Sequence, residues 1–134
     1  MDSGIIYTRS ILKPFDYLDG TRVSVMSRHT LNDGVTRDDR ITSDSYDVWM
    51  KILSPPDEIV GDYYKRGLPW KDFGDRYVEY LKGTVSSLVE DLSKFAIEQT
   101  VTLLCIEDSA EFCHRRLLAE ECKVYEPKLE IVHL

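Results

Sequence analysis

The chain has 134 residues, a formal net charge of −7, and 43% hydrophobic and 31% charged residues, the balance of one ordinary globular domain able to bury its own core. A pI near 4.9 argues against non-specific nucleic-acid binding, which depends on displacing counterions from many phosphates. No run approaches the roughly 20 apolar residues of a membrane span, and Met1-Asp2-Ser3-Gly4 has no basic segment leading into an apolar one, so neither membrane insertion nor a signal peptide is expected.

In chain order, Ile5 to Arg9 is β-rich and reads as a first strand. Pro14 and Gly20 then bracket room for one helical turn. Arg22 to Ser27 alternates like a second strand, and its short link to the first leaves parallel or antiparallel pairing open. Arg28 to Asp44, with Asn32-Asp33-Gly34 and the run Arg37-Asp38-Asp39-Arg40, reads as a long surface loop of the kind that carries binding functions. Tyr46, Trp49, Met50 and Leu53 recur at helical spacing and predict a short amphipathic helix over 45–53, stopped by Pro55-Pro56. A helix is expected over 57–65, with Pro56 suited to its first turn. Trp70, Phe73, Tyr77, Tyr80 and Leu81 predict another up to Gly83, and Val85, Leu88, Val89, Leu92, Phe95 and Ala96 one more to about residue 98. Leu129 to His133 reads as the last strand. With no internal repeat and no linker, residues 1–134 are expected to form a single domain.

The chemistry-bearing residues concentrate between the last helical stripe and that final strand. Val101-Thr102-Leu103-Leu104-Cys105-Ile106 reads as a buried strand, followed by a turn at Glu107-Asp108-Ser109 and a helical pattern. Asp108 with Glu111 has the form of a capping box, which would start the helix there. Cys105, Cys113, His114 and the pair Arg115-Arg116 all belong to this unit. Three cysteines in such a chain do not make a disulfide framework and point to a reducing, cytoplasmic setting. In open α/β sheets, ligands bind beyond the carboxyl ends of strands, where the next helix presents its N-terminus.

A helix N-terminus and nearby cations favour thiolate, so Cys105 or Cys113 could be a nucleophile or redox thiol. Each could equally be a small buried packing residue. At about 100° per residue, Ala110, His114, Leu117 and Leu118 share a face toward the sheet while Arg115 and Arg116 point elsewhere. A buried His114 needs a polar partner, for which Glu107 is the nearest candidate, and a satisfied structural histidine stands beside the functional reading. Cys105, Glu107, Cys113 and His114 are suitable zinc ligand types, but there is no Cys-x-x-Cys, and adjacent Cys113 and His114 would diverge around a helix. No metal is therefore assigned. The residue six after Cys105 is Glu111, not Arg, which excludes a cysteine-phosphatase loop, and neither a Walker A loop nor Gly-x-Gly-x-x-Gly occurs. Arg28 and His29 follow the second strand. In a parallel sheet they share an edge with Glu107 and the helix start, where Arg28 would suit a phosphate or carboxylate unless a salt bridge to Asp33 or Asp38 occupies it. Trp49, Trp70, Phe73 and Tyr77 read as core rather than as a base-stacking platform.

Leu103-Leu104-Cys105-Ile106-Glu107 and Cys113-His114-Arg115 resemble the strand and Cys-His-Arg segments of the family called domain of unknown function 488. Arg22 to Arg28 is similar to that family's second strand with its terminal arginine, and Leu129 to His133 to its closing strand. Asp47-Val48-Trp49, Leu53-Ser54-Pro55 and Trp70 through Phe73 to Tyr77 resemble its YeaO-like branch. The resemblance covers essentially the whole chain and implies a mostly parallel, Rossmann-like α/β sheet, with no established activity. Relatives with a longer form of the domain carry Asp-Val-Arg where this chain has Met26-Ser27-Arg28, so an acid/base step through that aspartate is not expected here.

The expected architecture is a single three-layer α/β domain with a mostly parallel sheet of about four strands, ordered 2-1-3-4 by analogy with doubly wound folds. The expected function is cytoplasmic binding of a small anionic ligand, a nucleotide among the candidates, at the carboxyl edge of the sheet. Glu107, His114, Cys113 and Cys105 are the catalytic candidates, and Arg28, His29 and Arg115 the ligand-binding ones. The cofactor is unassigned, and a homodimer is compatible with this reading. The competing reading is a non-catalytic interaction module in which the Cys-x-Glu…Cys-His-Arg residues are structural.

Overall fold

A computed structural model describes residues 4–31 and 33–134. The readings made at Met1-Asp2-Ser3 and at Asn32 lie outside the described residues. The strands are β1 (Ile5–Ser10), β2 (Thr21–Ser24), β3 (Val48–Trp49), β4 (Val101–Cys105) and β5 (Glu130–His133). They form one sheet in the order β3-β2-β4-β1-β5, and every neighbouring pair is parallel. The helices are α1 (Asp57–Arg66), α2 (Trp70–Gly83), α3 (Ser86–Glu98) and α4 (His114–Tyr125). No helix among the described residues is long and apolar enough to cross a membrane.

The order differs from the expected 2-1-3-4, because the strand at Val101–Cys105 lies between the first two strands rather than beside the first alone. Burial supplies the reason. All five residues of β4 are buried, and a strand apolar on both faces belongs inside a parallel sheet. The first two strands leave a slot between them, and β4 fills it through Ile6↔Val101 on one side and Thr21↔Val101 on the other.

The register divides the side chains between two faces. Val23, Leu103 and Thr8 align on one, with Cys105 and Ser10 further along it, and α2, α3 and α4 pack on one another above this face. Arg9, Leu104 and Ser24 align on the other, with Arg22 and Thr102 beside them. This second face is closed by the turn at Tyr17–Asp19 and by the loop after β2: Thr102 Oγ1 donates to the Asp19 carbonyl, and Arg22 Nε to that of Ser45. Asp19 is the charged centre of this layer. Its carboxylate accepts from Arg9 Nη1 at 2.7 Å and from Arg22 Nη1 at 2.7 Å. Gly20 lets the chain enter β2 directly afterwards: φ is +64°, and a Cβ there would sit 2.1 Å from the Thr100 carbonyl oxygen.

Two elements depart from the periodicity. Residues 45–53 form the edge strand β3 and a 3-10 turn at Lys51–Leu53, not an amphipathic helix. Here the β2 edge takes the backbone, with Asp47 N–H donating to Arg22 O and Met50 N–H to Ser24 O. Val48 and Trp49 suit that pairing, so tertiary context overrides helical spacing. The helix after β4 begins at His114, with Cys113 as its N-cap in an extended conformation (φ −130°, ψ 138°). Asp108 caps no helix among the described residues; Ser109 Oγ instead accepts from Glu111 N–H, and Cys113 N–H turns back to Ala110 O.

Arg22 and Asp19 are each 2% exposed. Asp19→Asn would leave the buried Arg22 guanidinium without a carboxylate, and stripping one partner from a buried pair costs on the order of 3–5 kcal/mol. Urea unfolding of wild type and Asp19→Asn is expected to show a loss of that size.

Candidate functional site

Parallel pairing brings the carboxyl ends of β2 and β4 side by side, with Val25 N–H bonded to the Leu104 carbonyl just past the ladder. His114, the first residue of α4, reaches into this junction. Its Nε2 lies 2.6 Å from Val25 O and 3.1 Å from Cys105 Sγ, and its Nδ1 lies 3.7 Å from the same sulfur. A carbonyl only accepts, so Nε2 carries the proton and Nδ1 keeps its lone pair. The ring meets Tyr77 edge-on, with centroids 5.5 Å apart. Burial is the main influence on His114 and lowers its pKa from the ordinary 6.5, outweighing the Val25 carbonyl and the Glu107 charge. Burial also pushes the Cys105 thiol well above its ordinary value of 9, with Cys113 and Glu107 adding to the rise.

Glu107 is not the partner of His114. Its Oε2 accepts from Cys113 Sγ at 3.2 Å and its Oε1 from the Tyr64 hydroxyl at 3.3 Å. The Tyr64 hydroxyl is in turn shifted upward, first by shielding from water and then by the Glu107 charge.

Arg115 also corrects the expectation, since it points inward and is fully buried. Its Nη1 donates to the Glu107 carbonyl at 2.7 Å and lies 3.6 Å from Cys113 Sγ. Its Nε and Nη2 have no hydrogen-bond partner among the described residues. The reason is the later helix start: residues 110–113 are not helical, so a face counted from Ala110 points the side chains beyond it in the wrong direction. Arg116 does turn outward and pairs with Glu120.

These groups border a cavity of about 90 Å³ walled by Met26, Arg28, Tyr64, Cys105, Glu107 and His114, among others. Arg28 and Tyr64 also line a wider hollow of about 470 Å³ together with Lys65, Thr30, Leu31 and Gly34. The loop after β2 thus borders the outer hollow. Arg28 has no acidic partner among the described residues: Asp38 is taken by Arg40, and Asp33 by Val35 and Thr36. Its guanidinium lies over Gly34, where φ is +74° and a Cβ would come within 2.5 Å of Nη1.

His29 borders neither space. It bonds Ser24 Oγ at 2.8 Å and stacks on Trp49 at 3.9 Å. His133 stays at the sheet edge with Thr8 Oγ1 at 2.6 Å.

Donor atoms of Cys105, Cys113 and His114 lie within 4.8 Å of one another. The divergence expected for Cys113 and His114 does not arise, because Cys113 precedes the helix. Sequence reasoning missed Tyr64, Lys65 and the Val25 carbonyl. Val60 and Tyr64, four residues apart on α1, form a stripe legible in the sequence, but what it would face was not.

All three histidines have lowered pKa values, with burial the leading cause for each. The unfolded chain therefore binds protons first as pH drops below about 6.5, so stability is present above that value and is lost as pH falls toward the folded pKa values. Urea midpoints near pH 7.5 and near pH 5.5 are expected to show lower stability at the acid value, with a smaller difference in His114→Asn.

No curated protein and no solved structure matches the chain. A family model, DUF488-N3a, described as the active DUF488-N3 subclade, matches residues 6–125. That span runs from β1 to the end of α4 and takes in Arg28, Cys105, Glu107, Cys113, His114 and Arg115, and the chain belongs to this DUF488 family.

Proposed function

We propose that the domain binds a small anionic ligand, of nucleotide size or smaller, at the carboxyl edge of its sheet. The anion sits at Arg28, with Cys105, Cys113, Glu107 and His114 beneath it. The observation that carries this reading is Arg28 itself, a guanidinium in the walls of both cavities with no acidic partner among the described residues. A guanidinium offers planar, paired donors to phosphate or carboxylate. Lys65 adds a second cation on the outer wall. The exposed Tyr64 ring spans both spaces and offers an apolar face beside the charge. Beneath the anion, neutral His114 and the Glu107 carboxyl would orient the ligand or move protons. Description of the subclade as active supports a working site. The free cysteines suit a reducing, cytoplasmic setting.

A second reading is favoured by the bonds the motif makes within itself. Arg115 to the Glu107 carbonyl and Cys113 to the Glu107 carboxyl together clasp the loop between β4 and α4. On that reading the domain is a non-catalytic interaction module and the motif is structural.

Calorimetric titration with inorganic phosphate and with a nucleoside monophosphate separates the two. Wild type is expected to bind, and Arg28→Gln to lose about 10-fold or more in affinity, the worth of a hydrogen bond to a charged group, with an unchanged melt. Glu107→Gln is expected to stay folded and lose its response to the ligand. A stability loss on the order of 3–5 kcal/mol in Glu107→Gln, with phosphate binding intact, would favour the structural clasp.

A further inference from the structure

We propose that Cys105, Cys113 and His114 form a three-ligand site for a borderline-soft divalent metal ion of the zinc type, at the floor of the inner cavity. The inference goes beyond the anion reading and does not rest on it. Two thiols and an imidazole converge from two segments, β4 and the start of α4, with donor atoms within 4.8 Å of one another. This donor set selects against magnesium and calcium, which take oxygen ligands, and suits zinc.

The imidazole is already arranged as a ligand. Its Nε2–H is held by the Val25 carbonyl at 2.6 Å, which leaves the Nδ1 lone pair for the metal. A metal-bound histidine usually donates its other ring N–H to such a carbonyl or carboxylate, which fixes tautomer and orientation. Nδ1 stands 3.7 Å from Cys105 Sγ. Tetrahedral zinc with bonds of about 2.0 Å to nitrogen and about 2.3 Å to sulfur separates the two donors by about 3.6 Å. The same sulfur now stands nearer Nε2, at 3.1 Å, so the Cys105 thiol swings toward the Nδ1 side of the ring to share the ion.

Electrostatics points the same way. Arg115 is a fully buried cation with two unpartnered nitrogens, and its Nη1 lies 3.6 Å from Cys113 Sγ. Two thiolates together with the Glu107 carboxylate would offset Arg115 and a divalent ion, leaving the cluster near neutrality, the condition for burying charge at low cost. Binding converts two S–H groups into two metal–sulfur bonds and releases two protons to solvent, with no change of oxidation state. Glu107 lies outside the converging set. Cys105 and His114 both line the cavity, so the fourth position opens into it, as in zinc sites that keep one place for water or substrate.

The test is a titration of the full-length, reduced, chelator-stripped protein with Co²⁺. One ion per chain is expected, giving an intense thiolate-to-cobalt band in the near ultraviolet, tetrahedral ligand-field bands in the visible, and loss of both on adding Zn²⁺. Cys105→Ser, Cys113→Ser and His114→Asn should each weaken binding by more than the about 10–100-fold typical of losing a supporting partner. Cys122→Ala, in a buried cysteine outside the cluster, should keep the bands. The wild-type result needs no variant to fold: absence of a thiolate-to-cobalt band overturns the proposal. So does a band that persists undiminished in Cys105→Ser, Cys113→Ser or His114→Asn, each first checked for native helical circular dichroism.

Discussion

Everything at the candidate site depends on β2 and β4 running parallel as direct neighbours. Parallel pairing delivers the ends of both strands to one edge, and direct adjacency sets the Val25 carbonyl beside Cys105. Only then can one side chain touch both, and His114 does so with a single ring nitrogen. An antiparallel β2 would place Val25 at the far edge and leave a half-buried imidazole without its acceptor, a costly state in a largely apolar setting. The insertion of β4 between β1 and β2 is therefore both the organising event of the fold and the condition for the site.

The two faces of the sheet meet their polar demands differently. One buries Arg22 and Asp19 as a bonded charge pair, with Arg9 sharing the carboxylate, and its function is to hold the covering turn and loop. The other buries two thiols and the Arg115 guanidinium beside a half-buried imidazole, and no carboxylate partner for Arg115 is found among the described residues. A satisfied network stabilises and fixes geometry, whereas an incompletely satisfied one marks a place where ligand or ion can complete the bonding. The contrast between the two faces of one sheet is the physical reason to look for chemistry at the α4 face.

Much of the fold was legible because periodicity reports burial. The stripes over α2 and α3 and the apolar run of β4 each matched an observed element, as did the helix expected after Pro56. Strand direction needed the family resemblance, since the link from β1 to β2 is compatible with either pairing. Strand order was not legible: the pairing of β4 with both β1 and β2 is a long-range event that local spacing does not encode. Residues 45–53 failed for a related reason, since the β2 edge offered their backbone groups a better partner than a helix would. At the site, the error was an offset. A helix assumed to begin near Asp108 turns Arg115 outward, whereas one beginning at His114 buries it and lets Cys113 and His114 converge. The sequence names these residue types, but their directions depend on where one helix starts.

The central claim is that Arg28 receives an anion directly above the Cys105–His114 junction. Heteronuclear NMR of the labelled protein titrated with inorganic phosphate tests it most directly, by following the Arg28 Nε–H and the His114 ring together. The account predicts saturable shifts in the Arg28 side chain, accompanied by His114, Glu107 and Tyr64, and absent from the buried Arg22. Saturable shifts confined to other surfaces, or an Arg28 resonance that stays fixed while phosphate binds elsewhere, would contradict it.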